Sequence, residues 1–160
     1  IIMFFFWHAD RQFDIVTPRM TQKDYQKILN HAVSELPNEA CGLIAGTVED
    51  GVKVVREVYL LTNVDDSREH FSMKPEEQLA AVRDIRAKGY VMFGNWHSHP
   101  ESPSRPSEED KRLAHDSGAD YLILSLQDKE HPVLNAFRIF NHTEVSQTEI
   151  SYTEISYTEV

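Results

Sequence analysis

GNWHSHPESPSRPSEED, residues 94–110, is the stretch of sequence that decides the fold of this chain. The apolar run over residues 90–99 predicts a buried strand that ends at its last histidine. Three prolines and two serines within residues 100–106 predict an exposed loop. Ser107 then caps a predicted helix over residues 107–117, and Gly118 ends it. The order strand, loop, helix indicates an α/β protein.

The same stretch spaces two histidines and one aspartate as metal ligands. His97 and His99 are two residues apart on a strand, so both imidazoles face the same side of the sheet. Asp110 completes the pattern His-x-His-x7-Ser-x2-Asp, which is far more specific than a His-x-His pair alone. Two imidazole nitrogens and one carboxylate supply three ligands to a tetrahedral zinc ion and leave the fourth position to water. The pattern therefore predicts an open, catalytic zinc site.

A site of this kind also needs a base that takes up and passes on a proton. Glu39 is the best candidate, because it follows a proline turn and stands directly before the predicted strand Cys41–Val48. It would lie near the ligands if that strand lies beside the strand that ends at His99. The glutamates at positions 101, 108 and 109 belong to or flank a solvated loop and are weaker candidates.

The rest of the chain predicts alternating helices and strands. Apolar residues recur with helical spacing over residues 21–36, with Thr21 as the cap and Pro37 as the end. Two β-branched runs, Cys41–Val48 and Val52–Leu61, flank an Asp-Gly turn and predict a hairpin. Further predicted elements are a short strand over residues 69–73, a helix between Pro75 and Gly89, and strands over residues 121–126 and 132–140. The fold class is α/β, with a mixed β-sheet and three helices.

Length and composition fit one globular domain. The chain has 160 residues, of which 41% are hydrophobic. Its formal net charge is −10 and it has no basic stripe, so nucleic acid is not an expected partner. The single cysteine, Cys41, forms no intrachain disulfide, which favours a cytoplasmic protein in which Cys41 is a small buried hydrophobe. The apolar run Ile1–Trp7 is much shorter than the ~18 residues that cross a bilayer, so no membrane association is expected.

The two ends of the chain differ from the middle. We expect an N-terminal extension over residues 1–19, because the first amphipathic pattern begins directly after Met20, and a catalytic domain over residues 20–145. Residues 146–160 form three pentads, SQTEI, SYTEI and SYTEV. A period of five matches neither a helix nor a strand, so we expect this low-complexity tail to be a poorly ordered appendage outside the core.

The motifs resemble the JAMM/MPN-plus zinc metallopeptidases, whose pattern is an upstream Glu followed by His-x-His-x7-Ser-x2-Asp. The resemblance covers about residues 20–140 and is closest to the compact prokaryotic branch. It extends to PNEACGLIAG at residues 37–46, FSM at 71–73 and GNWHSHP at 94–100. It implies a cytidine-deaminase-like MPN domain, in which a mixed β-sheet is flanked by three helices.

This resemblance also implies an activity and a role for each residue of the pattern. His97, His99 and Asp110 would bind one Zn²⁺ per chain, Glu39 would act as general acid/base, and Ser107 would stabilise the oxyanion. The substrate would be an amide or isopeptide bond at the C-terminus of a small ubiquitin-like or sulfur-carrier protein. The sulfur-carrier class fits better, because the chain has no long insertion of the kind that grips ubiquitin; the oligomeric state is left open.

Other functions are compatible with parts of the pattern. A non-catalytic MPN-like module that binds a ubiquitin-like partner is the main alternative, although such modules usually lack the complete set of residues. A cupin would need a third histidine and an almost all-β chain, and an amidohydrolase barrel needs ~250 residues. Ser107 and Asp110 also form an ordinary capping box, and the two roles coexist. The six histidines outside the pattern are expected at the surface or at caps.

Overall fold

The computed structural model of the protein describes residues 18–153. The first strand, β1 (Arg19–Thr21), leads directly into helix α1 (Gln22–Glu35). Thr21 caps this helix, because its Oγ1 accepts the backbone N–H of Asp24 at 3.0 Å. The amphipathic helix predicted from the sequence, with its cap, is confirmed.

A hairpin follows α1 and forms the middle of the sheet. Its strands are β2 (Cys41–Glu49) and β3 (Val52–Leu61). Asp50 and Gly51 both have left-handed backbones, with φ of 50° and 78°. This is the conformation that a tight two-residue hairpin turn requires, and it explains why the turn is Asp-Gly.

The remaining elements complete one mixed sheet. They are α2 (Pro75–Ala87), β4 (Val91–His99), α3 (Glu108–Leu113), β5 (Asp120–Ser125), β6 (Val133–Phe140), β7 (Glu144–Thr148) and β8 (Ser151–Thr153). Over the described residues the strand order is β7-β6-β5-β4-β2-β3-β1-β8. β4 pairs with β2 antiparallel and with β5 parallel, so the predicted α/β class with a mixed sheet is confirmed.

The sheet separates two apolar clusters and curls around one of them. Neighbouring residues of β2 point to opposite faces, so Ile44 belongs to the cluster that contains α1 and Leu43 to the cluster that contains α2. β7 and β8 stand at opposite ends of the strand order, yet only residues 149–150 separate them. A link this short requires the two ends of the sheet to lie close together.

Trp96 packs on the α1 face of β4, opposite to the two histidines that flank it. Its indole is fully buried, and Nε1 donates to the carbonyl of Tyr59 at 3.1 Å. A Cβ atom at Gly42 would lie 1.8 Å from that carbonyl oxygen and 2.3 Å from Nε1. Glycine at position 42 therefore makes room for the Trp96 indole between β2 and β3.

Two predicted elements differ from the structure. The third helix ends at Leu113 instead of Ser117, because Ala114 is extended and Asp116 forms a turn by accepting the N–H of Gly118 at 2.7 Å. The strand predicted over residues 69–73 is also wrong. In that segment Met73 makes only an isolated bridge, and the other residues form a loop.

The pentad tail is predicted to be a poorly ordered appendage outside the core. This prediction is wrong for residues 146–153, the part of the tail that the structure describes. Residues up to Thr148 continue β7 beside β6, and Ser151–Thr153 pair with β1 as β8. Ile150 packs against the α1 cluster where the chain changes partner strands. The change of partner strand accounts for the five-residue period, because the alternation of side chains between the two faces in β8 need not continue that in β7.

The ends of the chain, residues 1–17 and 154–160, lie outside the described residues. Most of the predicted N-terminal extension and the end of the pentad tail belong to these two stretches. Arg19 already lies in β1, so the sheet begins just before the predicted domain boundary. Within the described part of the chain, no helix is both long and apolar enough to span a bilayer.

Candidate active site

The three predicted ligand side chains converge at the end of β4. The Nε2 atoms of His97 and His99 are 3.0 Å apart, and Oδ2 of Asp110 lies 3.2 Å from the first and 3.3 Å from the second. Three ligands of a tetrahedral zinc ion, at ordinary bond lengths, are about 3.3 Å apart. Among the described residues this trio is the one group of histidine, cysteine and acidic side chains that could hold a metal ion.

The proline-rich loop fixes the orientation of His99. Nδ1 of His99 lies 2.9 Å from the carbonyl oxygen of Pro103, so this nitrogen donates its proton and leaves the Nε2 lone pair for a metal. The loop is held on β5 from both sides of Pro103. The Ser104 hydroxyl donates to the carbonyl of Ile123 at 2.6 Å, and the Ser125 hydroxyl donates to the carbonyl of Ser102 at 2.7 Å.

His97 is held by packing. Its ring is 2% exposed and stacks on Phe71, with ring centroids 4.7 Å apart. Nδ1 of His97 is buried and has no hydrogen-bond partner within the described residues. The ring is therefore oriented by Phe71, which the loop between β3 and α2 supplies.

Ser107 and Asp110 form the predicted capping box at the start of α3. The backbone N–H of Ser107 donates to Oδ2 of Asp110 at 2.8 Å, and the N–H of Asp110 donates to Oγ of Ser107 at 3.0 Å. The same Oδ2 faces both histidines, so the cap also orients this predicted ligand. Oγ of Ser107 accepts in this pair, which leaves its own O–H free to donate to a substrate.

Glu39 lies beside the ligands because β2 is the neighbour of β4. Cys41 stands opposite His97 in the ladder. Just before the strand, the N–H of Ala40 donates to Oγ of Ser98 at 2.8 Å, and the N–H of Ser98 donates to the carbonyl of Ala40 at 3.0 Å. The condition set by the sequence, that the two strands be neighbours, is met. The His-x-His pattern by itself predicts no role for its middle residue, Ser98.

The electrostatics of the site follow from burial and from the clustered charges. Burial raises the pKa of the Glu39 carboxyl to about 8; the nearby His99 opposes the rise, and Asp110 adds to it. Burial lowers the pKa of His97. Burial also opposes ionisation of Asp110, but hydrogen bonds from both histidines outweigh it and hold the pKa of this carboxyl well below its usual range.

Cys41 is a structural residue. Its side chain is fully buried in the cluster that packs α2. Burial raises the pKa of its thiol to about 12, and the nearby Glu39 adds to the rise. The thiol therefore stays protonated near neutral pH, and the interpretation of Cys41 as a small buried hydrophobe agrees with the structure.

Residues 21–140 match the protein family described as prokaryotic homologs of the JAB domain. This match covers Glu39, just before β2, and the elements β4 and α3, which hold the two histidines and the aspartate. The chain belongs to this family. The resemblance drawn from the sequence motifs is therefore confirmed.

Two curated relatives are about one third identical to this JAB-domain chain over the residues that align. Desampylase from Haloferax volcanii is 34% identical over 103 residues, which are 61% of this chain and 73% of the relative. The CysO-cysteine peptidase from Mycobacterium tuberculosis is 31% identical over 109 residues, which are 68% of this chain and 73% of the relative.

Solved structures share the fold. The solution structure of a protein from Desulfitobacterium hafniense is 48% identical, has a TM-score of 0.79, and covers 87% of this chain and 94% of its own. A crystal structure of a JAB1/MPN domain protein from Archaeoglobus fulgidus, at 22% identity, has a TM-score of 0.56 and covers 88% of this chain and all of its own. The predicted MPN fold is thereby confirmed.

Proposed function

We propose that this chain is a zinc metallopeptidase that holds one zinc ion per chain through His97, His99 and Asp110. The observation that carries the proposal is the convergence of their three ligand atoms within 3.0–3.3 Å. Two buried imidazole nitrogens facing each other at 3.0 Å would repel unless a cation or a proton lies between them. The donor set of two nitrogens and one carboxylate oxygen is typical of catalytic zinc.

The protein's own residues support hydrolysis at such a site. When bound, zinc supplies Lewis-acid chemistry, which polarises the scissile carbonyl and lowers the pKa of water. Glu39 takes the proton from the attacking water on its carboxylate and passes it to the leaving nitrogen. Burial favours the protonated form of Glu39, so that the carboxyl readily holds the proton between the two steps. The hydroxyl of Ser107 donates to the substrate oxygen as negative charge develops there.

The substrate that best fits these residues is the C-terminal amide or isopeptide bond of a small ubiquitin-like or sulfur-carrier protein. The relatives named desampylase and CysO-cysteine peptidase support this assignment. The segment between β3 and α2 is a loop of residues 62–74, much shorter than an inserted ubiquitin-gripping element. An extended glycine-ended tail that lies beside an edge strand would present its last carbonyl through main-chain hydrogen bonds. We place this activity in the cytoplasm.

A cleavage assay tests this function directly. The zinc-loaded protein is incubated with a small ubiquitin-like protein whose C-terminal glycine is linked either to free cysteine or to a lysine side chain. Mass spectrometry then measures release of the free glycine terminus. We expect cleavage that a zinc chelator abolishes and added zinc restores. Stable binding of the substrate protein without cleavage, in the zinc-loaded state, would contradict the peptidase and favour the non-catalytic MPN-like module.

A further inference from the structure

Asn63 stands two residues after β3 and is almost fully buried, with 8% of its surface exposed. Its Nδ2 donates to the backbone carbonyl of Glu39 at 3.0 Å and to that of His70 at 2.9 Å. Its Oδ1 accepts the backbone N–H groups of Asp65 and Ser72, both at 3.0 Å. The amide therefore uses both of its donor hydrogens and both acceptor sites, which is all that an asparagine offers.

The loop that Asn63 organises holds Glu39 by its backbone on both sides. The N–H of Glu39 donates to the carbonyl of Ser67 at 2.8 Å, and its carbonyl accepts from Asn63. Glu39 precedes the first residue of β2, so it has no place in the sheet ladder. These two bonds replace the ladder, and residues 62–74 set the backbone position of Glu39.

We propose that Asn63 is a positioning residue for the proton transfer performed by Glu39. This inference rests on the proposed function. A proton carrier works only when it is held close to its ideal geometry, and buried hydrogen bonds to the backbone provide that hold. None of the four hydrogen bonds of the Asn63 amide is made with a metal ligand or with the substrate bond. Its effect reaches the reaction through the Glu39 carbonyl.

The two halves of the Asn63 amide can be separated by substitution. Two carbonyls lie on the Nδ2 side and two N–H groups on the Oδ1 side, so only one orientation of the amide satisfies all four bonds. The isosteric Asn63→Asp change keeps an oxygen for the two N–H groups that fold the loop. It replaces the donor by an oxygen that faces the carbonyls of Glu39 and His70. Asn63→Asp thus removes the hold on Glu39 and retains the acceptor bonds within the loop.

Kinetics of the zinc-loaded variants test the inference. We expect Asn63→Asp to lower kcat by about 10- to 100-fold, the usual effect of a positioning partner, with KM and zinc affinity changed by less than about threefold. In a Glu39→Gln background the same change should cause no further loss. Ser72→Ala is the matched control, because it removes a hydrogen bond within the same loop, to Asp65, without touching Glu39. Its kcat should stay within about twofold.

Amide hydrogen exchange of the metal-free variants gives a second readout that does not depend on activity. Asn63→Asp should speed exchange of the Glu39 N–H by more than about tenfold, while amides of β5 such as Leu124 keep their protection. If Asn63→Asp does not fold, Asn63→Ser removes both halves of the amide without adding a charge, and we expect the same loss of kcat and the same faster exchange of the Glu39 N–H.

Three results would overturn the inference. They are an unchanged kcat in the folded variant, an equal loss of kcat in the Glu39→Gln background, and unchanged exchange of the Glu39 amide. Failure of the proposed function gives a different result. The wild-type protein then cleaves nothing, while the exchange measurement still reports whether Asn63 holds Glu39.

Discussion

The proposed metal ligands and the proposed proton carrier are positioned in two different ways. His97, His99 and Asp110 lie within one short stretch at the end of β4, the proline-rich loop and the cap of α3. Neighbouring residues fix His99 and Asp110, and Phe71 from the loop between β3 and α2 packs on His97. Glu39 is far from them in sequence, and Asn63, Ser67 and the Ala40–Ser98 pair hold it. The ligand set is thus locally encoded, whereas the position of the base depends on the assembled sheet.

The largest expected effect follows from removing a ligand. His99→Ala should abolish zinc binding and lower turnover by more than about 10⁴-fold, because without zinc the pKa of water stays near ~15.7. Equilibrium dialysis against zinc and the cleavage assay measure the two effects. Retention of zinc with full turnover in this variant would contradict the assignment of His99 as a metal ligand.

Removing the base should separate metal binding from turnover. Glu39→Gln keeps the shape of the side chain but cannot accept a proton, so we expect about one zinc per chain and a loss of turnover of about 10²- to 10⁴-fold. The measurement is single-turnover cleavage by protein with a verified zinc content. Wild-type turnover in Glu39→Gln would remove this residue from the mechanism.

Substitution of Ser107 tests whether a helix-capping side chain also takes part in the reaction. Ser107→Ala should lower kcat by about 10²- to 10³-fold if the hydroxyl donates to the oxyanion. It should also destabilise the protein by about 1 kcal/mol through loss of the cap. Ser107→Asp is the control, because it restores a capping side chain without a hydroxyl donor. Recovery of kcat in that control would show that Ser107 acts only as a cap.

The smallest expected effect is the pH dependence of stability that Glu39 adds to the metal-free protein. Its folded pKa of about 8 is above the unfolded value, so its contribution is fully present below about pH 4.3 and is lost as the pH rises through 8. At pH 9 the metal-free Glu39→Gln variant should be more stable than wild type by on the order of 2 kcal/mol. The two should converge near pH 4. Thermal unfolding across this range checks the sign, and a wild-type advantage at pH 9 would contradict it.

The sequence predicts well those features of the fold and the site that depend on residues close together in the chain. The stripe of α1, the Asp-Gly hairpin and the spacing of the ligand trio are all short-range patterns, and the structure has each of them. The nearness of Glu39 to the two histidines could only be stated on a condition, since it needs β2 beside β4. The sequence pattern alone could place the residue before a strand but could not say which strand is its neighbour.

The wrong predictions share a physical cause, which is a side chain or strand partner that competes with the local pattern. Asp116 turns the chain and shortens α3, although the helical pattern continues past it. The Asn63 amide takes the N–H of Ser72 that a strand over residues 69–73 would use. The pentads join the sheet because β6 and β1 each offer them a free edge. None of these partners is visible in the periodicity of the segment itself.

The most direct test of the central claim is the metal content of the purified protein, measured by mass spectrometry for wild type, Glu39→Gln and Asp110→Ala after incubation with zinc. The account predicts about one zinc per chain in wild type and in Glu39→Gln, and loss of the zinc in Asp110→Ala. A wild-type protein that stays metal-free, or an Asp110→Ala variant that keeps its zinc, would contradict it.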